Sequence, residues 1–153
     1  QADNMTERPL PESRSAYRHF RIITTRWMDN DVFGHVNNVT YYSWVDTAVN
    51  RFLIDHGLLD IASSPVVGIV AETGCRYLRQ VAYPDPITLG VAVAHLGRSS
   101  VHYGVGIFRG EETDAAAEAH FTHVYCERAT MRPVPIPDFI RAEMEKITFE
   151  GKA

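Results

Sequence analysis

The chain has 153 residues, a hydrophobic fraction of 45%, an aromatic fraction of 10% and a formal net charge of −4, which suits one ordinary globular domain. Its mild acidity and scattered basic residues exclude an electrostatic footprint for nucleic acid or an anionic membrane surface, and no apolar run approaches the ~20 residues needed to span a bilayer. Cys75 and Cys126 lie far apart and outside any CxxC pairing, so both are expected as buried hydrophobes in a reducing compartment, the cytoplasm.

Residues 1–16 are polar and proline-containing and predict a mobile arm ahead of a single domain over 17–148. They hold no apolar core of a secretory signal, and Met5 is a candidate start. Tyr17–Arg26 is rich in β-formers and predicts a first strand. A polar loop follows. From about Asn38, Tyr41, Val45, Ala48, Val49, Phe52 and Leu53 recur at helical spacing, with Ser43, Asp46, Thr47 and Asn50 opposite. Trp44 falls outside that stripe, which suggests a helix covered on more than one side. Gly57 supplies a left-handed C-terminal cap.

The texture then turns to β runs. PVVGIVAETGCRYLRQ from Pro65 predicts a strand, and YPDP at 83–86 a turn. ITLGVAVAHLG alternates at Ile87, Leu89, Val91 and Val93; SVHYGVGIFR alternates at Val101, Tyr103, Val105 and Ile107. AAAEAHFTHVYCE predicts the last strand, RPVPIP halts the sheet, and DFIRAEMEKI from Asp138 forms a short terminal helix. Tight connections between the last four strands imply antiparallel pairing. One long helix must bury its stripe on one face of that sheet. The class is α+β.

Seven histidines invite a metal, but His120 and His123, three apart on a strand, point to opposite faces. His95 and His102 flank the GRS turn and suit a cross-strand pair. No metal site and no cofactor are expected. There is no GxSxG, and the serines at 63–64 and 99–100 suit turns. Gly104 and Gly106 sit inside a strand, where a bulge or close packing accounts for them.

The loop DNDVFGHVNN, residues 29–38, supports two readings. Asp29, Asn30, Asp31 and the asparagines can turn the chain and cap the helix, with Gly34 at an unusual backbone angle. Alternatively, unpaired N–H groups at the helix start hold an oxyanion while a nearby carboxylate acts on an activated carbonyl, without a metal.

The run from Arg26 to Tyr41 (RWMDNDVFGHVNNVTY), with WVDTA after it, GRSS and RPVPIP, resembles the hotdog-fold acyl-CoA thioesterases of the 4-hydroxybenzoyl-CoA thioesterase type. The likeness spans roughly residues 17–138. It implies an antiparallel sheet of about five strands wrapped around one long central helix, and homodimers or homotetramers with sites between subunits. The reaction implied is hydrolysis of acyl-CoA, which is substrate and not cofactor. Carried over by position, Asp31 is the catalytic carboxylate, as nucleophile or general base. Backbone N–H groups near Asn38 polarise the carbonyl. His35, Asn37 and Tyr41 shape the site or hold its loop, and Phe33 and Gly34 border the substrate.

Plant acyl-carrier-protein thioesterases of related type carry an asparagine where Phe33 stands, so an Asp-led mechanism is favoured over an Asp/Asn/His one. Asp46 is assigned to support. For the CoA phosphates, Arg98 with Ser99 and Ser100, and Arg132, are candidate donors. Alternative functions are a non-catalytic acyl-CoA-binding hotdog module and a thioesterase acting on acyl-carrier protein.

Overall fold

A Schellman-type stop at one end and an asparagine cap at the other delimit the long helix in the computed structural model, which describes residues 10–151. The helix, α1, runs Asn38–Asp55, and Asn37 Oδ1 accepts the Val39 N–H at its start. At its end Gly57 has φ +69°, the Gly57 N–H donates to Ile54 O at 3.1 Å and the Leu58 N–H to Leu53 O at 2.8 Å. Tyr41, Trp44, Val45, Ala48, Val49, Phe52 and Leu53 are all buried. Trp44 therefore belongs to the buried arc: it continues the series Tyr41, Trp44, Ala48 at three- and four-residue steps. The arc is wide because the sheet curls around the helix. Each large side chain so buried contributes roughly 1.5–3 kcal/mol.

Five strands, β1 (His19–Ile23), β2 (Val66–Tyr77), β3 (Ile87–Leu96), β4 (Ser100–Arg109) and β5 (Ala117–Glu127), form one sheet in the order β1-β3-β4-β5-β2. Every pairing is antiparallel. The short connections hold for β3-β4-β5, but β2 pairs with β5 and the link 78–86 crosses the sheet end to β3. The fold class is thus the expected α+β arrangement of a curled five-stranded antiparallel sheet around a long helix. Inner-face residues Leu89, Val91, Val105, Ile107, Ala117, Ala119 and Phe121 join the helix stripe in one core.

The first strand is shorter than the predicted Tyr17–Arg26, because the chain leaves β1 for a 3-10 turn at Trp27–Asp29. Strand β3 is buried on both faces from Ile87 to Val93. A small second cluster explains this: Tyr17, Phe108 and Phe149 cover the outer face with Ala16, Ala92 and Ala115. The ring of Tyr17 lies over Gly106, where a Cβ would stand 2.5 Å from it; close packing is the reason for that strand glycine.

Residues 1–9 of the expected arm, with Met5, lie outside the described residues. Residues 12–16 are anchored: Ala115 N–H donates to Glu12 O at 2.9 Å and Arg14 N–H to Thr113 O at 3.0 Å. A terminal helix α2 (Asp138–Glu145) buries Ile140 and Met144. His120 and His123 face opposite sides, the first exposed and the second 1% exposed. His95 and His102 pair across strands with ring centroids 5.3 Å apart. No helix among the described residues is long and apolar enough to cross a membrane.

Candidate active site

The two aspartates of the loop have different environments. Asp29 is 2% exposed and accepts the Arg26 backbone N–H at 2.8 Å and the Arg26 guanidinium at 2.9 and 3.1 Å. Its carbonyl takes the Asn37 N–H at 2.8 Å. Asp29 is therefore a buried strut that braces the approach to α1. The chain then bridges Asn30 to Val36 and closes a tight loop. The Asp31 N–H donates to His35 O at 2.9 Å, the Gly34 N–H to Asp31 O at 3.0 Å, and Gly34 takes φ +85°. That positive angle accounts for the glycine.

Asp31 is half-buried at the neck of this loop. One carboxylate oxygen accepts the Phe33 N–H at 2.9 Å, an Asx turn that fixes its direction. No hydrogen bond from the described residues reaches the other oxygen. Two further ties hold the loop to the β2–β3 link, Val36 N–H to Val81 O at 2.8 Å and Tyr83 N–H to Asn30 Oδ1 at 3.0 Å.

Asp31, Phe33, His35 and Val36 from the loop, Asn38 and Tyr41 from α1, Tyr77 from the end of β2 and Gln80 from the link beyond it line one cleft of about 440 Å³. On the far side of the loop Asp31 also borders a smaller hollow of about 260 Å³ with Trp27, Asn30, Val32 and Gly34. Trp27, Met28, Val32 and Phe33 around these openings are between 74% and 93% exposed.

Asp31 is the sole carboxylate lining the larger cleft. The phenols and the thiol nearby stay protonated at neutral pH. Burial, then the Cys75 thiol, pushes Tyr41 up to about 12. Burial pushes Cys75 up to about 11, partly offset by a hydrogen bond with Tyr77. Tyr77 is raised by burial and then by Cys75 and Tyr42. Cys75 is thus a thiol and a poor nucleophile, and the phenols are donors. At the helix start the cap occupies the Val39 N–H, and no hydrogen bond from the described residues reaches the Asn38 N–H. The residue that carries this free N–H at the helix N-terminus lines a cleft that holds one carboxylate, an arrangement suited to acyl chemistry.

Of the residues predicted from sequence, Asp31, Phe33, His35, Asn38 and Tyr41 converge on this cleft. Gly34 shapes its loop and Asn37 caps its helix. Asp46 sits on the exposed face of α1, bonded to Asn50 Nδ2 at 2.9 Å, and lines none of these openings. Arg98, Ser99, Ser100 and Arg132 lie at the opposite end of the sheet. Ser100 pairs with Val124, and the Arg132 carbonyl takes the Glu127 N–H, whereas Tyr77 pairs with Ala117. That separation is roughly 25–30 Å along the strands, so one chain does not bring them to Asp31. Ser100 Oγ is instead 3.2 Å from His102 Nε2.

Sequence reasoning missed Tyr77 and Gln80. They arrive from about forty residues downstream through the pairing of β2, and no local pattern marks them. A cavity of about 360 Å³ on the outer face, near Tyr17, Arg76, Glu118 and His120, lacks a helix start. Its Glu118 already accepts the Glu12 N–H at 2.6 Å.

Residues 25–144 match the family model of the thioesterase-like superfamily. The uncharacterized protein YsmA of Bacillus subtilis (strain 168) is 27% identical over 97 residues, covering 62% of this chain. The match spans 65% of that relative's length, just under two thirds. Among solved structures, the PA5185 protein of Pseudomonas aeruginosa strain PAO1 is 45% identical, with a TM-score of 0.89 over 94% of this chain and 100% of that one. PA2801 of Pseudomonas aeruginosa, a candidate thioesterase, is 28% identical with a TM-score of 0.76 over 82% and 96%. A DHNA-CoA thioesterase from Staphylococcus aureus shares the fold, with a TM-score of 0.73 at 19% identity over 83% and 89%.

Proposed function

The chain belongs to the thioesterase-like superfamily, and on that premise we propose that it hydrolyses an acyl-CoA: thioester plus water to free acid plus CoA thiol. One observation carries the reading. The free oxygen of Asp31 and the unengaged N–H of Asn38 belong to residues that line the same cleft, and Asp31 is its one acid. The thioester carbonyl would lie with its oxygen on the Asn38 N–H, where negative charge grows in the transition state. Asp31 then acts on the carbonyl carbon directly, forming a mixed anhydride and expelling CoA thiolate, or takes a proton from the attacking water. Phe33, Tyr41 and Tyr77 would border the acyl group.

The assembly in this reading is a homodimer. Strand β2 has β5 on one side and no strand on the other among the described residues, and Ile69 and Val70 are 38% and 46% exposed on it. Antiparallel pairing of β2 with its copy would set the Val66 end of the partner beside the Tyr77 end. Equivalents of Arg98, Ser99, Ser100 and Arg132 would then approach the cleft from the partner and meet the CoA phosphates there. The exposed apolar rim at Trp27, Met28, Val32 and Phe33 would be covered by acyl group or partner.

The test is hydrolysis of a panel of short, medium, long and aromatic acyl-CoAs, followed by thiol release. Enzyme-only blanks are required because Cys75 and Cys126 are free thiols. Asp31→Asn, folded by circular dichroism, should lose at least about 100-fold in kcat. Binding of CoAs without thiol release above blank would rule out the enzyme reading. Single turnover in 18O water, with the label traced to Asp31 or only to the product acid, separates nucleophile from base.

A further inference from the structure

Resting on the hydrolytic reading above, we propose that Tyr77 is a positioning residue: its hydroxyl holds the Asn38 carbonyl so that the Asn38 N–H is aimed at the thioester oxygen. Tyr77 lies at the end of edge strand β2, thirty-nine positions from Asn38, and its Oη donates to Asn38 O at 3.3 Å. Its ring stands edge-on to Tyr41, with centroids 4.9 Å apart and planes at 86°. That contact sets the phenol against the first turn of α1.

The peptide unit between Asn38 and Val39 is consequently gripped at both ends. Its oxygen takes the Tyr77 hydroxyl, and its N–H is bonded to Asn37 Oδ1 at 3.0 Å. The oxyanion donor, the Asn38 N–H, belongs to the preceding peptide unit, whose carbonyl takes the Thr40 N–H at 3.0 Å. Holding the following plane restrains the Asn38 dihedrals about which the two units turn, and so narrows the direction of that N–H. The helix ladder gives the Asn38 oxygen the Tyr42 N–H along the axis, and the Tyr77 hydroxyl adds a second bond from the side, where the cap and the ladder leave the plane free to tilt. A helix start is otherwise the part of a helix most free to fray. Burial, Cys75 and Tyr42 all push the ionisation of Tyr77 upward, so the phenol remains a donor through the pH range of catalysis. An aimed donor stabilises the charged oxygen of the transition state far more than the neutral carbonyl of bound substrate. Loss of aim should therefore fall on kcat and spare KM.

The experiment compares wild type with Tyr77→Phe, which keeps the ring and its contact with Tyr41 and removes only the hydroxyl. Steady-state kinetics on an acyl-CoA that wild type turns over should show kcat down about tenfold. That is a fraction of the roughly 10²–10³ lost when an oxyanion donor is removed outright. KM should stay within about twofold, and the shape of the pH profile should not move. The second readout is the infrared carbonyl band of 13C-labelled acyl-CoA bound to Asp31→Asn, in which turnover is blocked. Adding Tyr77→Phe should reduce its red shift. Unchanged kcat in a folded Tyr77→Phe overturns the proposal, as does a KM increase that carries the whole loss while the carbonyl band stays put. If the Phe variant does not fold, Tyr77→Leu removes the same hydroxyl and is held to the same two results. A wild type without turnover on any acyl-CoA sinks the hydrolytic reading and this proposal together. A working wild type with an indifferent Tyr77→Phe sinks the proposal alone.

Discussion

Replacing Asn37 by aspartate and by alanine separates what the helix cap does for stability from what the helix start does for chemistry. Alanine removes the oxygen that accepts the Val39 N–H at 3.0 Å. Loss of such a cap costs about 1 kcal/mol, which lowers Tm by about 2–4 °C for a chain of this size. Aspartate keeps the oxygen and adds a negative charge at the positive end of α1, worth about 0.3–1 kcal/mol in its favour; Tm should hold or rise.

With about 3 Å for each N–H···O contact on the adjacent Asn38 and Val39 amides, the same charge would lie about 5 Å from a carbonyl oxygen placed on the Asn38 N–H. At an effective dielectric of about 20 this opposes a developing oxyanion by about 3 kcal/mol, and salt and the open cleft reduce that by about half. The net, about 1.5 kcal/mol, is about tenfold in kcat. KM should move less than about threefold because the ground-state carbonyl is neutral. Asn37→Asp should therefore match or exceed wild type in a thermal melt and lose activity. Rates are compared at the pH of maximal turnover of each protein. An aspartate variant that is stabilised and keeps wild-type kcat would refute the placement of the oxyanion at this helix start.

Two further predictions concern the buried histidine. Burial lowers His123 from 6.5 to about 4, and its Nδ1 has no hydrogen-bond partner among the described residues. Between those values the unfolded chain binds a proton that the folded chain does not. Stability is therefore complete above pH 6.5 and falls as pH drops toward 4. Urea denaturation at pH 7 and pH 5 should show a loss of about 2 kcal/mol from this residue in wild type, absent in His123→Phe; equal losses in both proteins would sink the assignment. At Gly68 an added Cβ would stand 2.8 Å from His123 Nδ1 and 3.0 Å from its Cγ. Gly68→Ala should cost about 1–3 kcal/mol, and most of this should return when His123→Ala is added, read as a coupling in a double-mutant cycle. Additive losses would mean that strand β2, and not the ring, is what the methyl disturbs.

Local physics determined what short stretches of sequence show by themselves. The long helix, its asparagine start and glycine stop, the alternating strands and the tight β3-β4-β5 connections all follow from periodicity and turn chemistry acting within about ten residues. The same holds for the clustering of Asp31, Phe33, His35 and Asn38, which one short loop carries to one place. The tertiary structure decided which elements become neighbours. Period two says which face a strand residue takes, but not which strand lies beside it, so the crossing of β2 to the far edge beside β5 was invisible locally. That crossing brings Tyr77 to the Asn38 carbonyl and leaves Arg98 and Arg132 at the opposite end of the sheet. Burial likewise separated two aspartates that look alike in sequence. Arg26 and the turn at Trp27–Asp29 draw Asp29 inward and neutralise it, while the Asx turn at Phe33 holds Asp31 at the cleft. A carboxylate's environment is set by what packs around it, and packing is a property of the whole chain.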